Sequence, residues 1–110
     1  MEQVPFEVEV SRQAHRLAVK VSGELDFSNA SKLQSILQAE IDAPSATIVF
    51  DFSQVAFVDS EGMKVIVGAY RKMSESGGRI AVTGCSQAVA RLFDILGLRS
   101  VLGVTCERRY

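Results

Sequence analysis

Tryptophan is absent, histidine occurs once, cysteine and proline occur twice each, and neither sign of charge predominates. Each shortage excludes something. Cys85 and Cys106 lie far apart, form no C-x-x-C, and have only His15 as a conceivable companion, so one chain cannot assemble a four-ligand zinc site. Both cysteines are read as reduced thiols, as suits a cytosolic setting. The net charge of -1, from 12 basic and 13 acidic side chains, supplies no field to gather phosphate backbone or anionic lipid. Neither nucleic acid nor a membrane is therefore expected as a partner. No run approaches about 18 unbroken apolar residues. The opening MEQVPFEVEV has neither the basic start nor the apolar core of a signal peptide, and a cytoplasmic protein is expected.

What is present is a globular composition, 47% hydrophobic and 23% charged, in a chain of 110 residues that can bury one core without metal or disulfide staples. One domain over residues 1–110 is expected. Phe6, Val8 and Val10 alternate with glutamates, and Leu17, Val19 and Val21 alternate with Ala18 and Lys20, which predicts two half-buried strands joined through the polar stretch Ser11 to Arg16. His15 falls in that turn and reads as an exposed loop residue. Ala30, Leu33, Ile36, Leu37 and Ile41 recur at helical spacing after capping candidates at Asp26 and Ser28, and Asp42 to Ser45 breaks the helix. Ala46 to Phe50 reads as a central strand buried on both faces.

The stretch Val49 to Tyr70, VFDFSQVAFVDSEGMKVIVGAY, organises the rest. Its strand runs into Asp59-Ser60-Glu61-Gly62, where Asp59 suits a helix N-cap and Ser60 falls in the first turn. Met63, Ile66, Val67, Tyr70 and Met73 then follow at three- and four-residue steps, so one helix face packs inward while its start is held at the surface. The helix is predicted to stop at Ser76-Gly77-Gly78. Ile80 to Thr83 gives a further strand, and Ser86 caps a helix bearing Val89, Leu92, Phe93 and Leu96 that ends at Gly97. Val101 to Cys106 is the last strand. Strands alternating with helices after an opening hairpin predict a small mixed α/β sheet, with one antiparallel pair, βαβ crossovers and about three helices.

The motifs exclude several chemistries. A nucleophile elbow needs G-x-S-x-G, and Val58 stands where the first glycine belongs; the one histidine sits in the hairpin turn, so a serine hydrolase is the weak enzyme alternative. No P-loop or dinucleotide fingerprint occurs. The carboxylates Glu24, Asp26, Asp59 and Glu61 read as a cation site, an acid–base pair, or helix caps and a solvated acidic rim, the last being favoured. Ser60 reads either as a capping residue or as a presented hydroxyl. Phe27, Phe57, Val58 and Met63 read as contacts around it or as core. Gly62 reads as a place where another backbone approaches closely.

Asp51-Phe52-Ser53, Val55, Phe57 and Asp59-Ser60-Glu61-Gly62, together with Gly23-Glu24-Leu25-Asp26 and Leu92-Phe93-Asp94-Ile95-Leu96-Gly97-Leu98, resemble the signature of STAS domains, specifically the bacterial anti-sigma factor antagonists. The resemblance covers nearly the whole chain. It implies that Ser60, which follows the Asp of the D-S-x-G turn, is phosphorylated by a partner kinase. Family members often carry Ser or Ala at the next position, where this chain has Glu61.

The implied cycle is partner switching. The unphosphorylated form captures an anti-sigma factor with a histidine-kinase-like serine kinase domain, phosphorylation of Ser60 breaks the complex, and a metal-dependent serine phosphatase restores it. ATP belongs to the kinase and the metal to the phosphatase, so the chain needs no cofactor and is not an enzyme. Glu24, Asp26, Phe27, Asp59, Ser60, Glu61 and Gly62 are the expected partner-binding residues. The first three are included because their loop follows a strand ending near the Ser60 turn. The alternatives are a partner-switching regulator with a non-sigma output, such as biofilm or secretion, and a non-phosphorylated STAS subunit of a transporter complex.

Overall fold

A computed structural model describes residues 4–41, 47–99 and 104–106. Along the chain run β1 (Glu7–Gln13), β2 (Arg16–Leu25), α1 (Ala30–Ile41), β3 (Thr47–Val58), α2 (Ser60–Glu75), β4 (Arg79–Cys85), α3 (Gln87–Ile95) and β5 (Val104–Cys106). They form one five-stranded sheet in the order β1-β2-β3-β4-β5, with β1 antiparallel to β2 and the remaining neighbours parallel. This is the expected mixed sheet with an opening hairpin and crossover helices.

The hairpin turn is tighter than the polar stretch suggests. Ser11, Arg12 and Gln13 pair with Ala18, Leu17 and Arg16, leaving Ala14, at φ 52°, and His15 as the loop. Two-residue hairpin loops require positive φ, and the edge strand tolerates polar side chains. Arg12 also ties the hairpin to the end of α1, donating to the Glu40 carboxylate at 3.0 Å and to its carbonyl at 2.9 Å.

Because the four parallel strands lie in sequence order and βαβ crossovers are right-handed, all three helices fall on one face of the sheet. Burial alternates accordingly. Leu17, Val19 and Val21 of β2, Ile48, Phe50 and Phe52 of β3, and Ile80 and Val82 of β4 are buried against Leu33, Leu37, Ile66, Met73, Val89 and Phe93 from the helices. The expectation that β3 is buried on both faces is corrected here: Thr47, Val49 and Asp51 are only half-buried, because among the described residues no helix covers their side.

The strand is also longer than Ala46–Phe50, extending to Val58 through Ser53 and Gln54, whose exposure interrupts the apolar pattern. Among the described residues its second half pairs with β2 alone, through two register shifts, since β4 leaves it after Asp51. The expected break at Asp42 to Ser45 and the first residues of the last strand, 101–103, lie outside the described residues. Within β5, Cys106 stands in register with Cys85, which is buried.

Both expected glycine stops are present. Gly77 (φ 78°) and Gly97 (φ 69°) adopt the left-handed conformation after α2 and α3, and the next N–H groups, of Gly78 and Leu98, each reach back 2.8 Å to the carbonyls of Met73 and Phe93. Ser86 caps α3 as expected, its hydroxyl oxygen accepting from the Val89 N–H at 3.2 Å. Leu96, expected on the packed face, is instead the residue after the helix and is 54% exposed. Among the described residues no helix is long and apolar enough to cross a membrane.

Candidate functional site

The parallel pairing of β2 with β3 runs to Leu25 opposite Val58, so both strands end at the same edge of the sheet. The loops that follow them, 26–29 and Asp59, must therefore meet. They meet through Asp59. Its N–H donates to the Leu25 carbonyl at 3.1 Å, and its own carbonyl accepts from the Met63 N–H at 2.9 Å, which starts α2. The two carboxylate oxygens hold different segments: Oδ1 accepts from the Gly62 N–H at 2.9 Å and Oδ2 accepts from the Phe27 N–H at 2.9 Å. The cap that the sequence suggested is thus also a clamp between loops.

Gly62 is where the helix start crosses the end of β2. A Cβ there would stand 2.7 Å from the Leu25 carbonyl oxygen and 2.7 Å from Leu25 Cγ, so the close approach read from the sequence is real and only glycine fits unstrained. With Asp59 and Gly62 facing inward, Ser60 and Glu61 face out, and both are exposed. Glu61 Oε2 accepts from Lys64 Nζ at 2.9 Å across one helical turn.

The loop before α1 is held by its own side chains. Asn29 Oδ1 accepts from the Asp26 N–H at 3.0 Å, and Asn29 Nδ2 donates to the Glu24 carbonyl at 2.7 Å. The Asp26 carboxylate accepts from the Ser28 N–H and hydroxyl. Asp26 and Ser28 therefore close a turn upon each other, and Asn29 is the residue directly before α1, its carbonyl accepting from the Lys32 and Leu33 N–H groups. The result is a rigid arch that leaves Phe27 78% exposed beside Ser60's turn. Among the described residues, an aromatic side chain so placed covers little.

All seven residues expected at the site thus lie at one edge of the sheet: exposed Glu24 at the end of β2 with half-buried Asp26 and exposed Phe27 on the loop after it, and Asp59, Ser60, Glu61 and Gly62 at the cap and first turn of α2. Of the ambiguous apolar residues, Val58 and Met63 are core, whereas Phe57 is 49% exposed. Sequence reasoning missed Asn29, Lys64 and a groove of about 400 Å³ between α1 and α2, lined by Phe27, Leu37, Glu61, Lys64, Val65 and Lys72. The i,i+3 spacing of Glu61 and Lys64 was the available signal for the ion pair.

The arrangement does not offer nucleophilic catalysis by Ser60 with His15 as base. His15 precedes the first residue of β2 and Ser60 lies beyond its last, so a strand of roughly 30 Å separates them. Among the described residues no group of three or more His, Cys, Asp or Glu could hold a metal ion. A perturbed carboxyl lies elsewhere, at Asp51 on the open face of the sheet. Burial pushes this carboxyl up, but hydrogen bonds from the Ser53 hydroxyl and N–H, the latter at 2.9 Å, together with Lys20, outweigh burial and hold it below its ordinary value.

Comparison with known proteins gives the same arrangement a family. The chain is 27% identical over 100 residues to the anti-sigma-B factor antagonist of Bacillus subtilis, covering 91% of each. It is 28% identical over 97 residues to the anti-sigma-B factor antagonist of Staphylococcus aureus strain NCTC 8325, covering 88% of this chain and 90% of the relative. A crystal structure of an anti-sigma factor antagonist from Mycobacterium paratuberculosis superposes with a TM-score of 0.81 at 26% identity, over 91% of this chain and 85% of that one. Residues 6–108 match the STAS domain model, and the chain belongs to the STAS domain family.

Proposed function

We propose that this domain is an anti-sigma factor antagonist whose exposed Ser60 edge docks on an anti-sigma factor carrying its own serine kinase activity, and that phosphorylation of Ser60 ends the contact. One observation carries the reading: Asp59 uses both carboxylate oxygens to fix the two loops, and the adjacent Ser60 is left exposed on a surface shared with Phe27. Relatives bearing the name anti-sigma-B factor antagonist support it.

The chemistry asked of this chain is small. The Ser60 oxygen forms a bond to the γ-phosphorus of ATP, the bridging P–O bond breaks, ADP leaves, and the hydroxyl proton passes to a base of the kinase. The domain contributes an accessible hydroxyl and a rigid frame. Phosphate adds about -1.5 to -2 charge at pH 7. A helix start offsets only about 0.3–1 kcal/mol of that for an exposed group. A partner pressed over the turn must desolvate both the charge and the bulk. A loss of about 3–4 kcal/mol, a few hundredfold in affinity, releases it. A metal-dependent serine phosphatase then removes the phosphate and restores docking.

The test is capture from the source organism's lysate with wild type, Ser60→Ala and Ser60→Asp as baits. Wild type and Ser60→Ala are expected to retain a histidine-kinase-like ATPase that Ser60→Asp loses. Identical partners for all three would make Ser60 a structural residue and favour a transporter-type or other non-switching role.

A further inference from the structure

Resting on the reading of Ser60 as the phosphorylated residue, we propose that Lys64 is the intramolecular counter-ion of phosphorylated Ser60 and leaves Glu61 to take that role. In the unmodified chain Lys64 Nζ is 2.9 Å from Glu61 Oε2, with side chains 71% and 49% exposed, an ion pair of the weakly held surface kind. Ser60 precedes Lys64 by four residues and Glu61 precedes it by three, so both anionic positions lie within the reach of one lysine on the same face of α2. The order is the favourable one, with the anion N-terminal to the cation. At equal distance a phosphate of about -1.5 to -2 charge attracts the ammonium up to about twice as strongly as a carboxylate does.

Three of the backbone N–H groups around the Ser60 turn are already engaged. At the start of α2 the Gly62 N–H is taken by Asp59 Oδ1 and the Met63 N–H by the Asp59 carbonyl, while the nearby Phe27 N–H is taken by Asp59 Oδ2. Lys64 is the single Lys or Arg between Lys32 and Arg71 in the sequence, and the other charged groups at this edge, Glu24, Asp26, Asp59 and Glu61, are acidic.

The exchange gives Glu61 a purpose. Before modification the Glu61–Lys64 pair is neutral, so the carboxylate beside Ser60 does not repel a docking partner. After modification Lys64 pins the phosphate and Glu61 is left bare. Both residues line the groove between α1 and α2, so the change of charge reaches beyond Ser60 itself.

The experiment uses the full 110-residue chain with phosphoserine installed at position 60 by genetic encoding, which needs neither kinase nor partner. Phosphorus-31 NMR then follows the second ionisation of the phosphate in wild type, Lys64→Met, Glu61→Gln and Lys72→Met. Lys64→Met is expected to raise that pKa by about half a unit, because a nearby cation favours the dianion. Glu61→Gln is expected to lower it or leave it unchanged, and Lys72→Met, further along α2, to leave it unchanged. No rise in Lys64→Met beyond measurement error overturns the proposal, as does an equal rise in Lys72→Met. All three side chains belong to exposed or groove-lining positions, so the variants keep the fold. Since no partner takes part, failure here leaves the antagonist reading standing, whereas failure of the capture experiment removes the premise of this proposal without altering the titration of the installed phosphate.

Discussion

Asp59 and Phe27 are joined across the gap between two loops by a single hydrogen bond, 2.9 Å from the Phe27 N–H to Asp59 Oδ2, while the other oxygen of the same carboxylate caps α2. Removing the carboxylate costs both contacts. Asp59→Ala is expected to destabilise by about 1–2 kcal/mol, the range of a lost N-cap. Asp59→Asn keeps one acceptor for Gly62 but presents an amide NH2 to the Phe27 N–H, so its loss should be of the same sign and smaller. Thermal denaturation of the two variants against wild type checks the ordering; equal losses would mean that the cap to Gly62 contributes nothing, and no loss in Asp59→Asn that the Phe27 contact contributes nothing.

Two glycines of α2 should respond oppositely to the same substitution. Gly62→Ala places a methyl 2.7 Å from the Leu25 carbonyl oxygen, where the neighbour is backbone and cannot yield cheaply, and a destabilisation of about 1–3 kcal/mol is expected. Gly68→Ala meets no atom within 4 Å, so the helix gains about 0.5–1 kcal/mol. Urea unfolding of each variant reads both signs.

Asp51 sets an acid limit on part of the stability. Its carboxyl is held below the ordinary value despite burial, so its contribution is present above the unfolded pKa of about 3.9 and is lost as pH falls through the lower folded value. Asp51→Asn is therefore expected to be less stable than wild type at neutral pH and to lose less on acidification. Urea midpoints at pH 7 and below about pH 3 show this as a shrinking gap between the two proteins; a gap that is constant with pH would contradict it.

Phe27 is 78% exposed, so its truncation should separate binding from folding. Phe27→Ala is expected to change stability by less than about 0.5 kcal/mol, as exposed substitutions do. Its affinity for the captured partner should fall by about tenfold or more, the scale of an aromatic anchor. Isothermal titration beside a thermal melt distinguishes this from a residue that merely shields the arch.

The elements legible in the sequence were those with a local cause. Period-two alternation marks β1 and β2, three- and four-residue apolar steps mark α2, and Gly77 and Gly97 mark helix ends by their conformation. What escaped depends on partners distant in sequence. The second half of β3 is a strand because β2 pairs with it, although Ser53 and Gln54 are exposed and polar. That all three described helices share one sheet face follows from strand order, which no single strand reveals. At the site, Asp59 as a cap and Gly62 as a crossing were readable from their motif. The bond from Asp59 to the Phe27 loop, the Asn29 bridge and the groove beside Lys64 required the two loops to be brought together.

The most direct test of the central claim is the affinity of the captured kinase for two forms of this chain, unmodified and homogeneously phosphorylated at Ser60, measured by isothermal titration in the same buffer. The phosphorylated form is expected to bind at least about a hundredfold more weakly, corresponding to about 2.7 kcal/mol or more, with the fold unchanged by circular dichroism. Affinities within about twofold of each other, a difference of only about 0.4 kcal/mol, would contradict it and return Ser60 to the role of an exposed residue at the start of a helix.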